Sequence, residues 1–125
     1  MLKDILIVGM GSFLGGVLRF LVSKGLAAVA VVAFPWGTFT VNIVGCLLIG
    51  FLSALPSSGT VISPATRLLL TTGFCGGFTT FSTFMNENAS MAKDGQMVTM
   101  ALYVSASIVL GFVAVLAGQW LSRQW

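Results

Sequence analysis

Histidine is absent from this 125-residue sequence, acidic residues number three and cysteines two. Charged residues of both signs make up 7% of the chain, against about 25% in an ordinary soluble domain. Each shortage excludes a class of function. Without His no nucleophile–base pair can be assembled, and a lone carboxylate away from the span ends, Glu87, forms no acid–base dyad. The sequence is therefore not read as an enzyme's. Cys46 and Cys75 lack the Cys/His or Cys/Cys spacing of a zinc site. Both fall inside apolar runs, where a disulfide framework is not expected, and read as small buried hydrophobes. The formal charge of +3 is spread along the chain rather than gathered in a basic patch. Neither nucleic acid nor an anionic lipid headgroup is indicated as the main partner.

What is abundant is apolar surface, at 57% of residues. A membrane-crossing helix takes roughly 20 residues, so four such spans use about 80 and leave only short connections. Strand-period alternation is missing and the apolar runs are too long for barrel strands. The expectation is a single-domain (residues 1–125), all-α membrane protein of four transmembrane helices embedded in the lipid bilayer. Met1-Leu2-Lys3-Asp4 followed by an apolar run superficially resembles a secretory signal. The run exceeds the usual h-region and no small-residue cleavage site fits, so it is read as a retained first span.

Span one is expected from about Ile5 to Val22, with Gly11 and Gly15 at the spacing that lets helices approach closely. Phe34-Pro35-Trp36-Gly37 reads as a break, followed by span two from about Thr38 to Leu55. Pro56-Ser57-Ser58-Gly59 is a loop, and Ser63-Pro64 reads as a helix start with Ser as cap and Pro at the first position. Span three runs from near Ala65 towards Ala92, interrupted at Gly76-Gly77, and Lys93-Asp94-Gly95 closes it as a turn. Span four covers about Met97 to Leu121, with Trp120 and Trp125 as interfacial anchors.

The interruption is the most informative stretch: Gly73-Phe74-Cys75-Gly76-Gly77-Phe78-Thr79-Thr80-Phe81-Ser82-Thr83-Phe84. Adjacent glycines weaken the helix and four hydroxyls compete with its backbone ladder. Unwound backbone at membrane depth survives only where it lines a cavity or is buried in protein. It is not a phosphate loop, because the Lys-Ser/Thr that would follow is missing.

Candidate site residues surround this stretch. Phe81 and Phe84, three apart, present both rings on one face. They are either a packing pair or ring edges that attract a small anion, since an aromatic edge is positive. Thr38 and Asn42 share a face of span two, and a buried Asn amide either bonds a neighbouring helix or donates to a passing anion. Tyr103, Ser107 and Gly111 form a stripe on span four, with Ser105 on another face. Glu87 is either a functional intramembrane carboxylate or within reach of interfacial water, and Arg19 either snorkels or serves the path.

Four spans put Lys3, Arg67 and Arg123 on one side and Arg19, Lys24 and Lys93 on the other. That balance gives the positive-inside rule nothing to act on. Insertion in both orientations follows, and two oppositely inserted copies can pair as an antiparallel, dual-topology homodimer.

Three segments carry a family resemblance: Gly15-Gly16-Val17-Leu18-Arg19, Gly37-Thr38-Phe39-Thr40-Val41-Asn42, and Thr72 through Phe84. In these the chain resembles the Fluc (CrcB) family of fluoride channels. The resemblance implies a passive, fluoride-selective channel in the inner or plasma membrane, exporting fluoride through two pores of an antiparallel homodimer. It also implies a central structural sodium ion held by the backbone carbonyls of Gly76 and Thr79. Phe81 and Phe84 match the aromatic lining of the pores and Asn42 the pore amide. Thr38, Thr83, Tyr103 and Ser107 match a polar track, Glu87 a pore-associated carboxylate and Arg19 a vestibule arginine. Gly111 departs from the track, standing where a further hydroxyl would extend it. The alternative is a small dual-topology multidrug exporter, but such exporters resemble one another in a first-span Glu that this chain lacks. A structural or assembly protein is a third reading.

Overall fold

The computed structural model describes residues 1–30, 34–56 and 61–124, and helices are their only regular structure. In chain order these are α1 (Leu2–Val29), α2 (Trp36–Ala54), α3 (Pro64–Leu68), a π-helical segment (Leu69–Cys75), α4 (Gly76–Phe78), α5 (Ser82–Lys93) and α6 (Met97–Ser122). Three of them, α1, α2 and α6, are long and apolar enough to cross a membrane. The expected span three, from near Ala65 towards Ala92, is a series of short helical pieces between Pro64 and Lys93. Ser57, Ser58 and Gly59 of the expected loop and the anchor Trp125 lie outside the described residues; Trp120 is exposed.

Helix α1 continues to Val29, seven residues past the expected end, because Ser23, Lys24 and Gly25 do not stop it. At 28 residues and 1.5 Å per residue it is about 42 Å long, beyond the roughly 30 Å of a hydrocarbon core. Lys24 folds back with its Nζ 5.8 Å from the centre of the Phe20 ring. Ser63 and Pro64 act as expected. The Ser63 hydroxyl accepts the Thr66 N–H at 3.1 Å, and Pro64 opens α3.

One turn later, Arg67 closes the other side of that connection. Its guanidinium donates to the carbonyls of Leu52 at 2.6 Å and of Leu55 and Pro56 at 2.8 Å each. Leu52 lies in the last turn of α2, where carbonyls are short of helical partners, and a cation there also offsets the helix dipole. Arg67 thus ties the end of α2 to the start of α3.

The π-helical segment is where the ladder meets competition. The Thr71 hydroxyl donates to Arg67 O at 2.7 Å and the Ser12 hydroxyl reaches across from α1 to Gly73 O at 3.2 Å. Side-chain bonds to ladder carbonyls favour such local widening. Small residues let the two segments touch. A side chain on Gly11 would collide with the Leu69 carbonyl and the Phe74 nitrogen, and one on Gly15 with the Phe74 carbonyl.

The interruption lies elsewhere than expected. Gly76, Gly77 and Phe78 are a helical turn; the backbone leaves the helix at Thr79 (φ −88°, ψ 161°) and re-enters it at Ser82. Gly77 is there for contact, not for flexibility, since a Cβ would sit 2.9 Å from Ser12 Cα and closer still to its carbonyl. What opens the chain three residues later is a competing partner, described below.

Helix α6 packs against α2 through a second set of small residues. Gly50 lies against the backbone of Val115, and Gly118 against Leu47 O, Phe51 N and Gly50. A small core forms where α5 meets α6. Phe84, Met91 and the wholly buried Tyr103 pack with Phe34, Phe39, Met100 and Val104. Most other large apolar side chains, Phe13, Phe20, Val98 and Phe112 among them, face outward, as expected of a chain whose solvent is lipid or a second copy.

Candidate functional site: a groove at the helix interruption

The backbone between α4 and α5 is held by two side chains from other helices. Asn42 of α2 takes the Thr80 residue at both of its peptide groups. The Thr80 N–H donates to Asn42 Oδ1 at 2.8 Å, and Asn42 Nδ2 donates to the Thr80 carbonyl at 3.0 Å. Arg19 of α1 donates through Nε to the Gly77 carbonyl at 3.0 Å. Thr79 stays close to its own helix, its N–H and hydroxyl both donating to Cys75 O, at 3.0 and 2.9 Å. The Thr80 hydroxyl in turn accepts the Thr83 N–H at 3.3 Å, opening α5. The Gly77 carbonyl and both backbone groups of Thr80 are thereby paired with named partners rather than left bare.

Beside this backbone lies a groove of about 590 Å³ lined by Asn42, Thr71, Gly76, Thr79, Thr80, Phe81, Phe84 and Ser107, with Gly45, Cys46, Ile49, Cys75 and Ile108. No Lys or Arg lines it. Its donors are weak ones. The Ser107 hydroxyl is buried and has no hydrogen-bond partner among the described residues. The Phe81 and Phe84 ring centres are 6.3 Å apart with planes inclined at 42°. The two rings are not equivalent: Phe84 is 7% exposed and meets Tyr103 edge-on at 4.9 Å, whereas Phe81 is 73% exposed.

Glu87 lies one turn beyond Phe84 on α5. The Thr38 hydroxyl donates to one carboxylate oxygen at 2.9 Å and the Tyr103 hydroxyl to the other at 2.7 Å. Three helices therefore meet at one carboxylate. Thr38 is also nearly buried, so the carboxylate satisfies two hydroxyls that lipid could not. Glu87 and Thr38 also border a separate cavity of about 140 Å³ between α1 and α2, shared with Ser23, Trp36 and Gly37.

Residues 6–119 match the family described as CrcB-like protein, Camphor Resistance (CrcB). The chain belongs to the CrcB family. It is 51% identical over 122 residues to a "Fluoride-specific ion channel FluC" of Chlorobium luteolum, covering 98% of this chain and 94% of that one. A protein of the same name from Chlorobaculum tepidum is 46% identical over 124 residues, covering 99% and 98%. Another from Phocaeicola vulgatus is 44% identical over 122 residues, covering 98% and 100%.

In this CrcB chain the expected residues fall into three groups. Asn42, Phe81, Phe84, Ser107, Gly76 and Thr79 line one groove; Thr38, Tyr103 and Glu87 form a hydrogen-bonded cluster next to it. Thr83 is exposed and does not line the groove, and Arg19 is engaged with the Gly77 carbonyl. A side chain on Gly111 would come within 3.5 Å of Cys46 Sγ, so that position packs against α2.

Reading the sequence missed Thr80 as an individual residue, although it stands inside the motif. It also missed Ser12, whose place between Gly11 and Gly15 was a usable signal for a cross-helix bond. Asn88 was passed over too. It is 6% exposed, donates to Phe84 O at 2.9 Å, and its Oδ1 has no partner among the described residues.

Proposed function

We propose that this CrcB chain forms a passive channel that lets fluoride leave the cell across the plasma membrane, and that it is not an enzyme. The observation that carries this is the groove at the helix interruption. An amide, a buried unpartnered hydroxyl and two aromatic rings face a space without a cationic side chain. Fluoride is small and strongly hydrated, so it leaves water only where replacement donors are many. It moves on only where each donor is weak. Hydroxyl, amide and ring edge meet both conditions, and a Lys or Arg in the same place would hold the ion. The name shared by the curated relatives agrees with this reading.

The groove is open on one side, and Phe81, its most exposed wall, has little to pack against within one chain. A second copy completes it. The balance of Lys3, Arg67 and Arg123 against Arg19, Lys24 and Lys93 favours an antiparallel partner, which gives a homodimer with two pores. Attaching a reporter to the C-terminus and testing its accessibility from both sides of the membrane is expected to find both orientations. A single orientation would end the antiparallel pairing.

A sodium ion is the proposed structural cofactor, held by the carbonyls of Gly76 and Thr79. Both residues line the groove, and neither carbonyl receives a hydrogen bond among the described residues. Oxygen atoms of this kind are the usual ligands of hard cations. No group of three His, Cys, Asp or Glu offers another site among the described residues. When bound, the ion supplies positive charge to carbonyls that the interruption has freed, and it is not transported.

The deciding experiment is anion efflux from liposomes carrying the purified protein, followed with a fluoride-selective electrode and, separately, for chloride. Fluoride is expected to escape while chloride stays. Retention of fluoride by a folded, dimeric preparation, or equal loss of chloride, would overturn the reading.

A further inference from the structure

In an unbroken α-helix the N–H of residue i+4 closes on the carbonyl of residue i. By that rule Thr80 N–H belongs to Gly76 O and Thr83 N–H to Thr79 O. Thr79 N–H makes the last ordinary bond, to Cys75 O at 3.0 Å. The next donor, Thr80 N–H, goes to Asn42 Oδ1 at 2.8 Å, and Thr83 N–H goes to the Thr80 hydroxyl at 3.3 Å. The carbonyls of Gly76 and Thr79 are thereby left without a hydrogen bond among the described residues.

We infer that Asn42 is the positioning residue of the cation site: by holding the Thr80 peptide through its side-chain amide, it keeps the Gly76 and Thr79 carbonyls free to bind sodium. The inference rests on the reading that these two carbonyls hold the ion. It assigns Asn42 a role in addition to donating to a passing anion, for which the second Nδ2 hydrogen is left.

Geometry supports the assignment in three ways. The amide is engaged at both ends, with Nδ2 donating to Thr80 O at 3.0 Å, so its orientation is fixed; exchanging O and N would set donor against donor and acceptor against acceptor. Asn42 sits on α2, 38 residues away in the chain, so the Thr80 peptide is held from outside the interruption. Thr80 then acts as the hub. Its N–H is withheld from Gly76, and its hydroxyl withholds Thr83 N–H from Thr79. Removing Asn42 leaves Thr80 N–H with one good acceptor nearby in sequence, the Gly76 carbonyl, and the helix closes over the ligand.

The test uses the full-length dimer in detergent, with sodium replaced stepwise by choline and the melting temperature recorded at each step. In the wild type the melting temperature is expected to be flat at low sodium and then to climb with the logarithm of its concentration; the onset of that climb marks the half-saturating concentration. Asn42→Ala is expected to raise that concentration about tenfold, the worth of one recovered backbone hydrogen bond competing with the ion. Thr80→Ala keeps the peptide clamp but frees Thr83 N–H for Thr79 O, and is expected to raise it about threefold by the same competition. The offset of each variant below the wild type should grow as sodium passes the wild-type half-saturating value and then stay constant.

A merely structural role predicts something else: lower melting temperatures at every sodium concentration with an unchanged half-saturating value. That outcome would overturn the inference. If Asn42→Ala yields no folded protein, Thr80→Ala decides alone, and a wild-type half-saturating value there refutes the role given to Thr80. A wild-type protein that conducts fluoride yet is indifferent to sodium removes the ion reading and this inference with it, leaving the channel intact. Sodium-dependent stability with no fluoride efflux removes the channel reading only.

Discussion

Phe81→Ala is expected to lower fluoride efflux roughly tenfold, taking about 1.4 kcal/mol for a contact at the positive ring edge and tenfold in rate per 1.36 kcal/mol. The fold of the single chain should not notice the change. Phe81 is 73% exposed and its nearest ring, Phe84, is 6.3 Å away between centres, so truncation opens no cavity in the core. Phe84→Ala is the contrasting variant. That ring is 7% exposed and rests against Tyr103 in a core with Met91, so its loss costs stability as well as flux, on the order of 3–5 kcal/mol. Efflux and thermal stability measured on both variants separate the two roles. Undiminished flux in Phe81→Ala would remove the ring edge from the conduction mechanism and leave Phe81 as surface for lipid or partner.

The second large effect concerns the contact between α2 and α6. Gly118→Val places a branched side chain against the Leu47 carbonyl, the Phe51 nitrogen and Gly50 of the facing helix. Those neighbours are backbone, so no rotamer change relieves the overlap, and the helices must separate along their length. Overpacking of this kind belongs in the tail above about 4 kcal/mol. The expected result is loss of the monodisperse species on size exclusion after extraction. Gly9→Val is the matched control, because a Cβ there meets nothing within 4 Å, and it should elute like the parent. If Gly118→Val also elutes like the parent, the close approach of α2 and α6 is not what holds the chain together. Separation of these helices would also shift Asn42 and Ser107, which face the groove from α2 and α6, so conduction should fail together with packing.

These effects show unequal legibility along the chain. The start of α3 was readable because Ser63 and Pro64 act locally: a cap and a fixed φ need no distant partner. The end of α1 was less so: it was expected at about Val22, but an apolar run beyond Ser23 and Lys24 carries the helix to Val29. Gly76-Gly77 was misread for a different reason. Glycine lowers helix propensity and also permits close contact, and a sequence does not say which property is in use. Here Gly77 meets Ser12 and stays helical, while the departure at Thr79 follows from a bond to Asn42 that no local pattern announces.

The site divides in the same way. Asn42, Phe84 and Ser107 stood out as polar or aromatic groups costly or unusual in an apolar run, and they do meet at one groove. Thr38, Glu87 and Tyr103 were each noticed, but that two hydroxyls from α2 and α6 share one carboxylate is a fact of three helices, not of any one. Arg19 and Arg67 read as charges near span ends; in the fold both donate to backbone carbonyls.

The sequence by itself determined that this is a helical membrane chain. Composition and the length of apolar runs set the solvent a chain can live in, and those are sums over residues. It also determined the family, through a long motif of glycines, threonines and phenylalanines. Only the tertiary structure decided where the helix opens, which ring is buried and which exposed, and which carbonyls are left free. Each of these depends on competition between a local hydrogen bond and a partner tens of residues away, and the winner is known only when the helices are side by side.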